Sequence, residues 1–187
     1  MVDLVYTANV SLDGYTEDGD GRLDWSLPDE EVFSFITELE RPAGTYLYGR
    51  RMYEAMLYWE GAVPDEGHLR AFAEMWRAAD KVVYSRSLES VSSARTELEH
   101  DFDPAAVRRL KAAAQRRLTI GGANLAGQAL AAGLVDEIRL LIAPVVLGGG
   151  KPCFPKGVNL PLRLLETRRF AGGVVYLRYR LDAGLKG

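Results

Sequence analysis

Apolar residues recur along the chain with two spacings, one typical of strands and the other typical of helices. Residues 2–10 are rich in β-formers and small residues, which predicts a buried first strand. A second apolar stretch follows Pro28 and repeats every 3.6 residues as far as Leu39. Pro28 and the acidic residues after it suit the first turn of a helix, so this stretch predicts a helix that ends near Pro42.

The two spacings then alternate along most of the chain. Further strands are predicted at residues 45–48, 81–85, 118–120, 136–146, 162–169 and 174–181. A short helical stretch is predicted after Gly49, and longer helices at residues 69–79, 103–115 and 124–132. The last two strands flank Gly172-Gly173 as a hairpin. This order predicts an α/β fold with a central, mostly parallel mixed sheet, helices on both faces and a C-terminal antiparallel hairpin.

Length and composition favour one domain. We place it at residues 1–182 of the 187, followed by a loose tail at 183–187. With 48% hydrophobic and 26% charged residues, the chain has the composition of a soluble globular protein. No leader segment is visible, and no run reaches the ~18 apolar residues that a membrane span needs. We therefore expect a cytoplasmic protein with no membrane partner.

Charge and residue counts exclude several classes of function. The formal net charge of −3 argues against a general nucleic-acid-binding protein. The single cysteine, Cys153, rules out an intrachain disulfide and a cysteine metal cage. The only histidines are His68, expected to be exposed on a helix, and His100, expected in a loop. We therefore predict no metal site and assign neither histidine a catalytic role.

One predicted strand end suits a phosphate group through its backbone. Gly121-Gly122-Ala123-Asn124 joins a strand to a helix N-terminus. Glycines there allow a ligand to approach closely, and the free N–H groups attract anions. The turn lacks the G-x-G-x-x-G pattern of dinucleotide-binding folds, and it also fits a plain tight connection.

Two further strand ends add positive charge. Gly49-Arg50-Arg51 joins a strand to a helix, and arginine binds phosphate through two parallel hydrogen bonds. Ser85-Arg86 places a hydroxyl and a guanidinium after another strand. Each motif alone also fits a solvated surface turn. Because ligands of open α/β sheets bind beyond the carboxyl ends of the strands, three such ends together indicate a ligand with several phosphates, such as a dinucleotide.

Taken in order, several segments resemble the dihydrofolate-reductase-like superfamily. Within it, the chain is similar to the C-terminal reductase domain of the bacterial riboflavin-biosynthesis bifunctional deaminase/reductase. The segments that carry the resemblance are residues 11–15, 49–54, 83–86, 121–125, 133–137 and 143–151. The resemblance implies a dihydrofolate-reductase-like three-layer sandwich and an NADPH-dependent reductase. Relatives of the riboflavin type pair as dimers, which implies a homodimer through residues 140–146 and the final hairpin.

The resemblance also implies which residues would meet NADPH. Gly49, Arg50 and Arg51 would meet its phosphates, and Ser85 and Arg86 would lie by the adenosine 2′-phosphate, which predicts NADPH over NADH. The turn that would hold the pyrophosphate comprises Gly121, Gly122, Ala123, Asn124 and Leu125. The loop that would flank the nicotinamide includes Asn9, Asp13 and Gly14. Met52 stands where dihydrofolate reductases usually have a threonine that bonds phosphate, so binding is expected to be weakened by about 1–3 kcal/mol but not abolished.

A candidate acid lies at the start of the first predicted helix. The segment from Trp25 to Glu30 resembles the part of dihydrofolate reductases in which a carboxylate bonds the pterin and supports its protonation. When Trp25 and Pro28 are aligned with that segment, Glu30 takes the position of the acid and Asp29 is its neighbour. The resemblance also implies that Trp25 contacts the substrate. A carboxylate in a cleft can relay a proton. Acidic residues at this place also fit a purely structural role, because the positive end of the helix dipole favours them.

These residues support three hypotheses of function. The first is an NADPH-dependent reductase that passes a hydride to a small heterocycle or a ribosylamino-pyrimidine-like substrate. The second is an NADP(H)-binding module without turnover, which the substitution at Met52 would suit. The third is a dihydrofolate reductase, although no arginine can be placed to grip the glutamate of a folate.

Overall fold

A mixed sheet forms the centre of the molecule, whose computed structural model describes residues 1–182. In this part of the chain, ten strands are present: β1 (Leu4–Val10), β2 (Tyr15–Glu17), β3 (Ala43–Gly49), β4 (Asp80–Tyr84), β5 (Thr96–Glu99), β6 (Arg117–Gly121), β7 (Glu137–Ile142), β8 (Lys151–Pro152), β9 (Leu162–Arg169) and β10 (Val175–Leu181). Eight of them form the sheet in the order β5-β4-β3-β6-β1-β7-β10-β9, while β2 and β8 pair separately. The predicted tail at 183–187 lies outside the described residues.

Six helices occur in the described residues. They are α1 (Glu30–Glu40), α2 (Arg50–Met56), α3 (Tyr58–Gly61), α4 (Gly67–Ala78), α5 (Pro104–Ala113) and α6 (Ala123–Ala131), and a single 3-10 turn spans Asp24–Ser26. None of the helices within residues 1–182 combines the length and the apolar character needed to cross a membrane.

Strand direction confirms the predicted architecture. The six strands from β5 to β7 in the spatial order run parallel, so their carboxyl ends share one edge of the sheet. β10 runs antiparallel to β7, and β9 runs antiparallel to β10, which makes the C-terminal hairpin. We call the shared edge of the six parallel strands the carboxyl edge.

Apolar side chains pack on both faces of the sheet. Along β3, Leu47 belongs to one core cluster while Tyr46 and Tyr48 belong to another, because successive residues of a strand point to opposite faces. Leu125 of α6 packs into the first cluster and Trp76 of α4 into the second. Trp76 is fully buried and donates its indole N–H to the Tyr48 hydroxyl at 3.2 Å. Helices therefore cover both faces, as the sequence predicts.

The structure corrects the predicted strands at three places. β5 is an additional parallel strand at the edge of the sheet that was not predicted. The short antiparallel pair of β2 and β8 was not predicted either. β7 ends at Ile142 and does not continue to residue 146, because Pro144 has no N–H to donate to a neighbouring strand. The Val145 N–H instead donates to the Ala143 carbonyl at 2.8 Å, which turns the chain.

Buried polar groups attach the C-terminal end of α1 to the sheet. The Glu40 carboxylate accepts hydrogen bonds from the hydroxyls of Thr7 and Thr119, each at 3.0 Å. The Arg139 guanidinium donates to the Leu39 carbonyl at 3.1 Å. Since α1 is one rigid rod, these contacts also determine where its N-terminal turn lies at the carboxyl edge.

A buried carboxylate balances the charge of this region. Glu137 accepts from Arg139 at 2.6 Å and from Arg178 at 2.8 Å, and the side chains of Glu137 and Arg139 are almost completely buried. Burial alone would raise the pKa of Glu137, but the hydrogen bond from Arg178 and the charge of Arg139 outweigh it, so the pKa is lowered. Glu137 therefore stays ionised in the core, where it compensates Arg139.

Candidate functional site

The three strand ends that the sequence singles out lie side by side at the carboxyl edge. Gly121 of β6 pairs in register with Tyr48 of β3, and Gly49 of β3 pairs with Tyr84 of β4. The turns that follow β6, β3 and β4 are therefore neighbours in that order. A Cβ atom added to Gly122 would lie 3.9 Å from the Gly49 nitrogen, so two of these turns nearly touch.

The glycine turn after β6 leads directly into α6. Gly122 is the N-cap of this helix and has φ +95°, a conformation that residues with a side chain rarely adopt. Because glycine has no side chain to cap the helix, the first-turn N–H groups of Ala123, Asn124 and Leu125 are left for another acceptor. The Met52 side chain lies across the turn, since a Cβ on Gly121 would be 3.1 Å from Met52 Cγ. The turn thus presents N–H donors and the positive end of a helix dipole.

The two arginines after β3 are held by carboxylates. Arg50 lies 3.9 Å from Glu54, one turn further along α2. Arg51 lies 3.5 Å from Glu17 of β2. Both guanidinium groups are largely exposed, so these ion pairs are weak and an anionic ligand can compete for the arginines.

The turn after β4 carries Ser85 and Arg86. Ser85 is buried, and its hydroxyl accepts hydrogen bonds from the N–H groups of Ser87 and Leu88 at 3.2 and 3.0 Å. Arg86 is exposed and forms an ion pair with Asp101 at 2.5 Å. The serine therefore shapes the turn, while the arginine extends into solvent beside a carboxylate.

The loop after β1 is fixed by its own side chains. Asp13 accepts from the N–H groups of Leu147 and Gly148 at 3.1 and 2.7 Å. The hydrogen bond with Ser11, followed by those with Leu147 and Gly148, holds the pKa of Asp13 below its ordinary value. The Gly14 carbonyl accepts from the Cys153 N–H at 2.9 Å. Asp13 and Gly14 therefore hold two loops of the carboxyl edge together.

A small cavity of about 10 Å³, enough for about one water molecule, opens between the ends of β1 and β7 and the first turn of α1. It is lined by Asn9, Ser26, Pro28, Val32, Leu141, Ala143 and Val174. The lining therefore consists of an apolar wall with one amide and one hydroxyl. Such a surface suits contact with an uncharged group, but the cavity is too small to enclose a ring.

Comparison with known proteins places the chain in a family. The model of the RibD C-terminal domain matches residues 3–176. The chain belongs to this family. Its sequence is also 32% identical over 183 residues to the protein YyaP of Bacillus subtilis (strain 168), a match that covers 94% of this chain and 93% of YyaP.

Solved structures agree with the fold of a RibD C-terminal domain. A pyrimidine reductase-like protein from Corynebacterium diphtheriae superposes with a TM-score of 0.71 at 17% identity, covering 97% of this chain and 92% of that one. Dihydrofolate reductase from Enterococcus faecalis, complexed with NADP(H), superposes with a TM-score of 0.66 at 14% identity, covering 96% of each chain. The fold is therefore dihydrofolate-reductase-like, which confirms the resemblance seen in the sequence.

In this RibD C-terminal domain, neither of the two candidate acids lines the cavity. Asp29 is the N-cap of α1, and its carboxylate accepts from the Val32 N–H at 2.9 Å. Glu30 is 80% exposed and lies 3.7 Å from His68 Nδ1. His68 is not exposed as the sequence suggested, because its ring packs edge-on against Phe33. The role of Asp29 or Glu30 as proton donor stays a prediction.

The segment between Trp25 and Pro28 forms one wall of the cavity. Trp25 is half-buried, and its indole N–H donates to the Arg22 carbonyl at 3.1 Å. Ser26 and Pro28 line the cavity, whereas Trp25 does not. Sequence reasoning missed Ser26, although its position between Trp25 and Pro28 could have indicated it. Asn9, predicted to flank the cofactor, also lines this cavity.

Proposed function

We propose that this chain is a reductase that binds NADPH across the ends of β4, β3 and β6 and reduces a small heterocycle held against the apolar surface around the adjacent cavity. One observation carries the proposal: three turns suited to phosphate groups occupy consecutive strands, and an apolar cavity opens beside β1, the next strand in the sheet. A phosphate-rich ligand and a ring substrate would therefore meet between β6 and β1.

The residues at the carboxyl edge fit NADPH. The α6 N-terminus offers unbonded N–H groups for a pyrophosphate, and Gly122 leaves room for its approach. Arg50 and Arg51 supply positive charge beside that turn. Arg86 follows β4, two strands from β6, and supplies positive charge where an adenosine 2′-phosphate would lie. In the free protein the three guanidinium groups pair with carboxylates but stay accessible to solvent, so a phosphate can compete for them.

The reaction divides between the cofactor and the chain. NADPH, when bound, supplies a hydride to the substrate. Asn9 and Ser26 orient the ring through hydrogen bonds, and Val32 and Leu141 exclude water from it. Glu30, in the first turn of α1 between the cavity-lining Pro28 and Val32, would supply the proton that balances the hydride. No charged side chain is among the cavity-lining residues, so any phosphate of a ribosylamino-pyrimidine-like substrate would extend beyond the cavity.

NADPH oxidation separates this proposal from an NADP(H)-binding module and from a dihydrofolate reductase. Oxidation driven by a ribosylamino-pyrimidine and not by dihydrofolate supports the proposal. Binding of NADPH without oxidation by any reducible heterocycle favours the binding module. Oxidation driven by dihydrofolate, with tight binding of methotrexate, favours a dihydrofolate reductase. Failure of both NADPH and NADH to bind at millimolar concentration contradicts all three.

Replacement of Arg86 with alanine is expected to raise the Kd for NADPH about tenfold, because a charge-assisted bond to phosphate is lost, and to leave the Kd for NADH nearly unchanged. Fluorescence titration with both cofactors measures this. Arg95→Ala serves as the control, since Arg95 forms a similar exposed ion pair with Asp80 at the other end of β4. An equal loss for both cofactors would remove Arg86 from the 2′-phosphate site.

Replacement of Glu30 with glutamine is expected to lower kcat about 10²- to 10⁴-fold, the usual contribution of a general acid. The Kd for NADPH should stay unchanged, because Glu30 lies on α1, away from the turns that would hold phosphates. Steady-state kinetics and cofactor titration measure the two quantities. Glu31→Gln, one residue along the same turn, provides the matched control, and unchanged turnover of Glu30→Gln would exclude Glu30 as the acid.

We also propose that the hairpin of β9 and β10 joins two copies of the chain. All eight residues of β9 are exposed, including Leu162, Leu164 and Leu165. Leu164 pairs with Tyr179 of β10 on the same face of the hairpin. A second copy, related by a two-fold axis, would cover the same leucines on both chains at once.

Leu164→Asp is therefore expected to convert a dimer into a monomer, measured by light scattering on a size-exclusion column. The aspartate would place a charge in the buried centre of the contact. Val63→Asp is the control, because Val63 is exposed in the segment between α3 and α4. A wild-type chain that is monomeric at micromolar concentration would contradict the dimer.

A further inference from the structure

We propose that Asp101 determines cofactor specificity by lowering the preference of the site for NADPH over NADH. This inference rests on the proposed function, since it concerns the subsite in which Arg86 would meet the 2′-phosphate. Asp101 belongs to the loop after β5, a strand that the sequence did not predict. The structure brings it against Arg86 from 15 residues away.

The carboxylate and the guanidinium are in direct contact. Asp101 Oδ1 accepts a hydrogen bond from Arg86 Nε at 2.6 Å and lies 2.5 Å from Arg86 Nη2. Neither side chain is buried, as 84% of Arg86 and 67% of Asp101 is exposed. Both groups can therefore reorient when a ligand arrives, while they neutralise one another in the free protein.

The backbone keeps this pair at the carboxyl edge. Tyr84 and Glu99 are in register at the ends of β4 and β5, and the Ser85 N–H donates to the Glu99 carbonyl at 2.9 Å. His100 Nδ1 lies 3.2 Å from the Ser85 carbonyl, a second link between the two turns. Arg86 follows Ser85 in the chain and Asp101 follows His100, so these two backbone links keep Arg86 and Asp101 close together.

The two members of the pair recognise different cofactors. An arginine binds the 2′-phosphate of NADPH, which NADH lacks. A carboxylate accepts a hydrogen bond from the free ribose 2′-hydroxyl of NADH and repels a phosphate. With both groups in contact, NADPH must displace Asp101 from Arg86, whereas NADH gains a partner. The site is therefore built to accept both cofactors with a moderate preference.

Asp101→Asn tests this by removing the negative charge and keeping the size of the side chain. We expect the Kd for NADPH to fall about three- to tenfold, since the competing carboxylate is exposed and its effect is modest. The Kd for NADH should rise or stay unchanged. The ratio of the two Kd values, measured by fluorescence titration at low salt, then shifts toward NADPH. The shift should shrink at 1 M salt, because the charges are exposed.

Asp80→Asn is the matched control. Asp80 pairs with Arg95 at 2.7 Å, is similarly exposed, and lies at the opposite end of β4 from Arg86. In Asp80→Asn the ratio of the Kd values for NADPH and NADH should stay at the wild-type value. Asp101→Glu keeps the negative charge, so its ratio should lie closer to the wild-type value than that of Asp101→Asn. Thermal denaturation of each variant checks that the fold is intact, which the exposed position of Asp101 favours.

The outcomes separate this inference from the proposed function. If both cofactors bind and Asp101→Asn leaves the ratio of Kd values unchanged, the role of Asp101 is wrong and the reductase proposal stands. If Asp101→Asn lowers the Kd values for NADPH and NADH equally, Asp101 acts only through general charge and the inference is again wrong. If the wild-type protein binds neither cofactor, the proposed function itself fails, and the inference with it.

Discussion

Glu137→Gln is expected to lower the free energy of unfolding by about 3–5 kcal/mol, because it leaves the buried Arg139 guanidinium without a counter-charge. The substitution keeps the size of the side chain and removes its charge. Arg178 can reach water, as 35% of its side chain is exposed, whereas only 4% of the Arg139 side chain is exposed. Urea denaturation followed by circular dichroism measures the loss.

Glu38→Gln is the control for this prediction. Glu38 pairs with Arg41 through two contacts of 3.0 and 2.5 Å, but both side chains are exposed. Its removal should cost less than about 1 kcal/mol. If Glu137→Gln also loses less than about 1 kcal/mol of unfolding free energy, Arg139 is solvated in the native protein, which would contradict a buried pair.

The same pair gives a pH dependence with a definite sign. The pKa of Glu137 is lowered below its ordinary 4.5 in the folded protein, so its ionised form stabilises the fold at all pH values above about 4.5. This contribution is lost as the pH falls further and the carboxylate becomes protonated. The difference in stability between the wild-type protein and Glu137→Gln should therefore be constant at neutral pH and narrow below pH 4.5.

Gly122→Ala is expected to raise the Kd for NADPH about 30- to 150-fold, which corresponds to the loss of one charge-assisted hydrogen bond of about 2–3 kcal/mol. An alanine at φ +95° forces the turn to rearrange, and the first N–H groups of α6 move with it. Its Cβ would also meet Met52 Cβ at 3.6 Å. Fluorescence titration with NADPH measures the loss of binding.

Gly133→Ala separates this effect from a general loss of stability. Gly133 has φ +64° at the other end of α6, and a Cβ there would meet open space. Both variants should lose about 1 kcal/mol of stability for the strained conformation. Only Gly122→Ala should lose NADPH binding. If the Kd for NADPH rises equally in both, the glycine turn after β6 is not a phosphate site.

Much of the fold could be predicted because the apolar pattern of its long elements is unambiguous. The apolar stripe of α1 and the small-residue strand β1 are examples. β5 was missed because its sequence, Thr-Glu-Leu-Glu, has two residues that disfavour strands and only Leu98 to pack against a core cluster. The pair of β2 and β8 was missed because β8 has two residues, too few for any period to show.

The site could be predicted as a set of strand ends but not as a set of contacts. Parallel strands must end at one edge, so Gly49, Gly121 and Ser85 could be grouped without knowing the strand order. The partners of Arg51 and Arg86 could not be predicted, because Glu17 and Asp101 are distant from them in sequence. The same holds for Ser26, whose place in the cavity depends on how the segment before α1 folds over β7.

The strand order also gives the site a length. Neighbouring strands lie about 4.8 Å apart, and three such steps separate β4, which positions Arg86, from β1, which carries Asn9. A ligand must therefore reach across about 14 Å to contact both ends. A single ring cannot do so, whereas the chain of sugars and phosphates in the proposed NADPH can, so the carboxyl edge would select its ligand by length as well as by charge.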